Sequence, residues 1–210
     1  MRRIATAIFF LFALAIPAFA HPHVWVTIRS EIVYAPDGSI AAVRHAWTFD
    51  DMFSAFATQG FPQQTKGTFT REELAPLAEV NVTSLKEYSY FTFGKIDGGK
   101  IEFADPKDYW LEYKDAALTL HFTLPLKTPV KTKAASFEIY DESFFVAFDL
   151  MPKDPVSLTG APAGCRVATR GPQEMTAAQS KRLSELDVTQ KNTDDKLDAS
   201  FANRITVSCP

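Results

Sequence analysis

Leu118, Leu120, Phe122, Leu124 and Leu126 occupy every second position of one stretch, with Thr119, His121 and Thr123 between them. A helix would scatter five such residues around its circumference; an extended strand puts them all on one face. The same period of two runs through Val24, Val26, Ile28, Ile32 and Tyr34, with Thr27, Arg29 and Glu31 opposite. Both stretches read as half-buried strands. Pro36-Asp37-Gly38 is a turn signal, and Ile40 to Phe49 resumes extended character, which predicts a hairpin. Two further hairpins follow. Asp97-Gly98-Gly99 separates Tyr90–Ile96 from Lys100–Phe103, and Lys114-Asp115 separates Tyr109–Tyr113 from Ala117–Leu126. Ser136 to Asp149 is aromatic and extended, and Gly160-Ala161-Pro162-Ala163-Gly164 punctuates before a strand at Cys165 to Thr169. Arg204 to Cys209 closes the chain as a strand.

Helical patterns are confined to two regions. Asp50 to Ala57 shifts towards helix, and a second helix begins at Thr70, where Glu73 three residues on completes a capping box, and fades near Tyr88. A short helix is expected near Met175 to Leu186. The fold class is therefore α+β: a mainly antiparallel β-sheet domain with a helical insertion over about 50–88 and a short helix in the C-terminal region.

The chain opens with Met1-Arg2-Arg3, an apolar run from Ile4 to Ile16, and Pro17-Ala18-Phe19-Ala20. A basic start, a short apolar stretch and an A-x-A site read as a cleavable secretory signal over residues 1–20, leaving one periplasmic β-rich domain over 21–210. Losing Arg2 and Arg3 takes the formal charge from −3 to −5. An acidic chain of this kind is not expected to bind nucleic acid, and no later stretch is long and apolar enough to span a bilayer. Cys165 and Cys209 are the only cysteines. In an exported protein an even count reads as a disulfide, here worth about 3–4 kcal/mol through the loop it closes; a two-cysteine metal site is the alternative.

Cleavage after Ala20 would make His21 the N-terminus, with His23 two residues on, so half of the chain's four histidines fall within three residues. The α-amine and imidazole of His21 can chelate one ion, and His23 projects to the same side of an extended segment. Pro22 lacks the N–H that a square-planar amine–amide–imidazole copper or nickel site requires. A site of amine plus side chains suits zinc, nickel or cobalt, with copper also possible. His121, on the polar face of its strand, is the candidate third ligand. Lower-ranked candidates are His45, which shares a face with Val43 and Trp47, and the carboxylates Asp50, Asp51, Asp141 and Glu142. Pro62 to Glu73 aligns with a calcium loop, but Pro62, Gln64 and Lys66 stand where oxygen ligands belong, so no calcium is expected and Glu73 reads as a helix cap. No catalytic motif stands out, and the chain is not expected to be an enzyme. The alternatives are a metal-free docking module and a copper enzyme using the N-terminal histidine.

His21-Pro22-His23-Val24-Trp25-Val26, Trp47-Thr48-Phe49-Asp50-Asp51-Met52-Phe53-Ser54, Leu118-Thr119-Leu120-His121-Phe122 and Gly160-Ala161-Pro162-Ala163-Gly164-Cys165 resemble a family built on a domain of unknown function. Its members are described as the periplasmic component of an ABC-type transport system and often accompany nickel/cobalt-type, NicO-like permeases. The resemblance covers essentially the whole mature chain. It implies transition-metal transport with an inner-membrane metal permease as partner, and it matches this chain at His21, His23 and His121.

Overall fold

A computed structural model describes residues 22–173, 176, 178–179 and 201–210. His21 and most of the helix expected over Met175–Leu186 lie outside the described residues. In chain order the elements are β1 (Val24–Tyr34), β2 (Ile40–Phe49), α1 (Asp51–Ala57), α2 (Arg71–Leu85), a 3₁₀ segment (Lys86–Phe91), β3 (Thr92–Ile96) and β4 (Gly99–Ile101). β5 (Lys107–Lys114), β6 (Ala117–Val130), β7 (Ala134–Ile139), β8 (Val146–Leu150), β9 (Val156–Thr159), β10 (Arg166–Arg170) and β11 (Asn203–Ser208) complete them.

The strands form two sheets, one ordered β5-β6-β2-β1-β8 with β9 also on β1, the other β10-β11-β7-β3-β4. The alternating residues do what their period requires. Leu118, Leu120, Phe122, Leu124 and Leu126 are buried, as are Val24, Val26, Ile28 and Ile32, and they share one core cluster with Phe137, Ile139, Ile205 and Val207 of the second sheet. Each such side chain contributes about 1.5–3 kcal/mol on full burial. Trp47 is the hub. Its ring lies edge-on to Phe122 at 4.9 Å and to Phe148 at 5.1 Å, and 6.4 Å from Phe91.

Three details differ from the sequence reading. The extended run Ser136–Asp149 is two strands in different sheets, because Asp141 turns the chain: its carboxylate accepts from Ser143 N–H at 2.8 Å and from Val146 N–H at 2.9 Å. After that turn β8 and then β9 lie parallel to β1, against Val24–Ile28 and Ser30–Val33 respectively. The first sheet is therefore mixed, and the strand at Val156–Thr159 is too short to show a period. The β5–β6 turn falls one residue later than expected, at Asp115 and Ala116, whose φ of 52° and 62° belong to the hairpin turn matching strand twist.

The insertion is helical as read. α2 carries the capping box at Thr70 and Glu73, and hydrogen bonds from the Thr70 and Gln64 N–H groups hold the Glu73 carboxyl below its usual range. The helix lies along the edge strand β5, with Phe69 against Tyr113 at 5.0 Å. β10 and β11 pair antiparallel, and Cys165 and Cys209 beside them form a disulfide.

One polar chain crosses the apolar interior. Ser30 Oγ and His45 Nδ1 are 2.9 Å apart, His45 Nε2 and Thr92 Oγ1 are 3.3 Å apart, and Thr92 donates to the Tyr90 carbonyl at 2.8 Å. Because the Thr92 proton is used on Tyr90, Thr92 accepts from Nε2–H, and Nδ1 accepts from Ser30. The imidazole is neutral, and complete burial pushes its pKa down to about 3. The unfolded chain, titrating at about 6.5, binds more protons than the folded one between those values. His45 therefore contributes stability that is complete above pH 6.5 and declines as pH falls towards 3, by about 1.4 kcal/mol per pH unit. Urea unfolding at pH 7, 6 and 5 should show this loss in the wild type and not in His45→Gln. Equal slopes in the two proteins would assign the acid sensitivity elsewhere.

Candidate functional site

The start of β1 is fastened on both flanks. On one side His23 and Val24 donate backbone N–H bonds to the Phe145 carbonyl at 2.9 and 3.3 Å. On the other, Asp50 Oδ2 accepts from Trp25 N–H at 2.9 Å while the Trp25 carbonyl accepts from Asp50 N–H at 2.9 Å. Asp50 also caps α1, Oδ1 accepting from Phe53 N–H at 2.8 Å. The exposed His23 ring packs on Phe145, with centroids 4.9 Å apart. The backbone immediately after His21 is thus held at a rigid rim.

The carboxylates singled out in the sequence have definite tasks here. Asp50 and Asp141 both accept backbone N–H groups on two oxygens, and Asp141 is buried under the loop that carries Phe145. Asp51 is exposed at the first position of α1. Trp25 and Phe145 at this rim, and Met52 and Phe56 on α1, are large apolar side chains left exposed.

His121 is elsewhere. It pairs with Ala46 across the β6–β2 ladder, and Ala46 pairs with Arg29 on β1, six residues beyond His23. At about 3.3 Å per residue the two histidines are separated by roughly 20 Å along the strand direction. His121 instead stacks on Trp110, its cross-strand partner, with centroids 4.0 Å apart and planes 6° from parallel, and the Arg71 guanidinium lies 4.8 Å from that indole. Its Nε2 is 3.6 Å from Glu112 Oε2 and makes no hydrogen bond. Burial pulls the imidazole below its ordinary pKa, Glu112 opposes this, and Arg71 adds to it. Trp110 belongs to an aromatic cluster that the sequence offers as core or pocket lining, but its pairing with His121, and the places of Glu112 and Arg71, are not read from sequence. The signal lay in the hairpin register, which a turn placed at residues 115 and 116 would have fixed.

His45 is in the core relay. Among the described residues no group of three or more histidine, cysteine, aspartate or glutamate side chains is placed to hold a metal ion. His23 therefore stands apart from His121 and His45, and His21 lies outside the described residues. No helix among the described residues is long and apolar enough to cross a membrane.

Two comparisons bear on the chain as a whole. The profile of the family described as "Protein of unknown function (DUF1007)" matches residues 6–209. A Haemophilus influenzae (strain ATCC 51907 / DSM 11121 / KW20 / Rd) protein, described as "Uncharacterized protein", is 25% identical over 193 residues, covering 90% of this chain and 91% of the relative.

The double role of Asp50 gives a direct test of the rim. Asp50→Ala removes a helix cap and the acceptor of Trp25 N–H, and should cost about 1–2 kcal/mol in urea unfolding. Asp50→Asn keeps a single acceptor oxygen, enough for the Phe53 cap or for Trp25 N–H but not for both, and should lose an intermediate amount. Equal losses in both variants would show that the rim needs both acceptor oxygens at once, and no loss in either would show that Asp50 does not hold it.

Proposed function

The chain belongs to the DUF1007 family, and from that premise we propose that it is a periplasmic transition-metal-binding accessory protein working with an inner-membrane metal permease. The observation that carries the reading is the anchored, exposed His23 at the head of β1. Cleavage after Ala20 would set the His21 amine and imidazole two residues before it. Amine and imidazole nitrogens suit Zn²⁺, Ni²⁺ or Co²⁺, with Cu²⁺ accommodated by the same donors.

A rigid rim lowers the entropy lost when His23 becomes a ligand, while its position at a chain end leaves the ion open to transfer. The exposed Trp25 and Phe145 beside it offer apolar surface for a membrane partner. The metal is cargo on this reading. The Cys165–Cys209 disulfide supports an oxidising compartment. The distance from His23 to His121 argues for two or three ligands from the terminal segment, completed by water or by the partner, rather than by His121.

Competition titration of the protein processed to begin at His21 tests this with Zn²⁺, Ni²⁺, Co²⁺ and Cu²⁺. One tight equivalent is expected, lost in His23→Ala and sharply weakened by one extra residue ahead of His21, but unchanged in His121→Ala. Binding no tighter than that of free histidine would retire the terminal site. Loss in His121→Ala alone would move it to the Trp110 stack.

A further inference from the structure

A groove of about 1040 Å³ opens on the second sheet, bounded by the β3–β4 hairpin, the 102–105 segment and the turn after β7. Most of its charges are already matched. Lys86 pairs with Asp105 at 2.7 Å, Lys127 with Glu102 at 3.0 Å, and Arg204 with Glu138. Lys95 and Lys100 differ. They line the same groove, both are exposed, and they sit directly opposite one another across the β3–β4 ladder. Like charges in that position repel. Among the described residues neither lies within ion-pair distance of a carboxylate, although Glu142, which has an interaction of its own, also lines the groove.

Phe93, two residues before Lys95 on β3, shares the lysines' face about 7 Å away. Its ring lies 4.7 Å from that of Tyr140, so aromatic surface adjoins the uncompensated charge. Ser89 and Tyr90, which also line the groove, belong to a strained stretch of backbone. Ser89, Tyr90 and Phe91 have φ of 54°, 54° and 46° in succession, left-handed values that side chains other than glycine's rarely adopt. Such runs persist where the surroundings enforce them, and they cluster at ligand clamps. Here the enforcing bond is Thr92 to the Tyr90 carbonyl, itself tied to His45.

We propose that this groove binds a small organic anion bearing two carboxylates, whose charge lies between Lys95 and Lys100 and whose apolar body rests on Phe93 and Tyr140. Lysine ammonium groups are compact, mobile charges that neutralise an anion without dictating a bidentate geometry. The neighbouring rings select for an organic body over a bare oxyanion. The inference is independent of the metal reading, because none of these residues belongs to the His23 rim.

Calorimetric titration of the processed, metal-free protein at constant ionic strength tests it with phthalate, inorganic phosphate and benzyl alcohol as probes. Phthalate should bind at least about tenfold more tightly than either of the others, a difference of about 1.4 kcal/mol. The double variant K95Q/K100Q should lose about tenfold in phthalate affinity, yet unfold at a urea concentration no lower than the wild type, since it removes a repulsion. Equal binding of phthalate and phosphate would overturn the organic-anion assignment. No binding of phthalate, or binding unchanged in the double variant, would overturn the site.

Discussion

One neutral imidazole ties the two sheets together. His45 belongs to β2, Ser30 to β1 and Thr92 to β3, so the Ser30–His45–Thr92 chain joins the first sheet to the second through an otherwise apolar interior. Hydrophobic packing alone tolerates sliding of one sheet over the other, because contacts are exchanged for similar ones. A hydrogen-bonded imidazole does not, since either ring nitrogen left unmatched would cost the desolvation of a buried polar group. Asn203 adds a second bridge, its Nδ2 donating to the Phe148 carbonyl at 2.7 Å from β11 to β8. Sheet order and sheet alignment thus rest on different forces, the first on backbone ladders and apolar faces, the second on a few directional bonds.

Those fixed sheets make the rim and the groove possible. The strained Ser89–Phe91 segment is held through Thr92, which is a member of the relay. The head of β1 is held by β8, which reaches the first sheet only because Asp141 turns the chain out of the second. Neither feature is a local property of its own residues.

The sequence was most legible where one face of an element meets the core. Alternation located β1, β2 and β6, and the Thr70–Glu73 spacing located the start of α2, because burial and capping leave a period or a fixed offset in the chain. It was least legible where one residue type serves two purposes. Asp50 and Asp141 are lower-ranked ligand candidates of a type that more often caps backbone or is solvated, and only the positions of the Trp25, Phe53, Ser143 and Val146 N–H groups show what their oxygens engage. β8 and β9 were lost inside longer or weaker patterns, since strands of five and four residues that pair in parallel carry little alternation. The Trp110–His121 stack needed the hairpin register, since a two-residue turn displaced by one position moves the partner of His121 by two residues, from Trp110 to Asp108.

The loop between β7 and β8 brings the two candidate sites into one frame. Tyr140 and Glu142 line the groove, while Phe145, three residues on, supplies the carbonyl and ring that hold His23. Between them Asp141 is buried and bonded to Ser143 and Val146, so the segment cannot flex at its centre without breaking those bonds. A shift of Tyr140 large enough to open or close the groove must therefore either be absorbed within the loop, at the expense of the Asp141 contacts, or be passed to Phe145 and the head of β1. Coupling between the sites would require a ligand whose affinity differs between two arrangements of this loop. In the arrangement seen here, the Asp141 turn is the element that such a ligand would have to remodel.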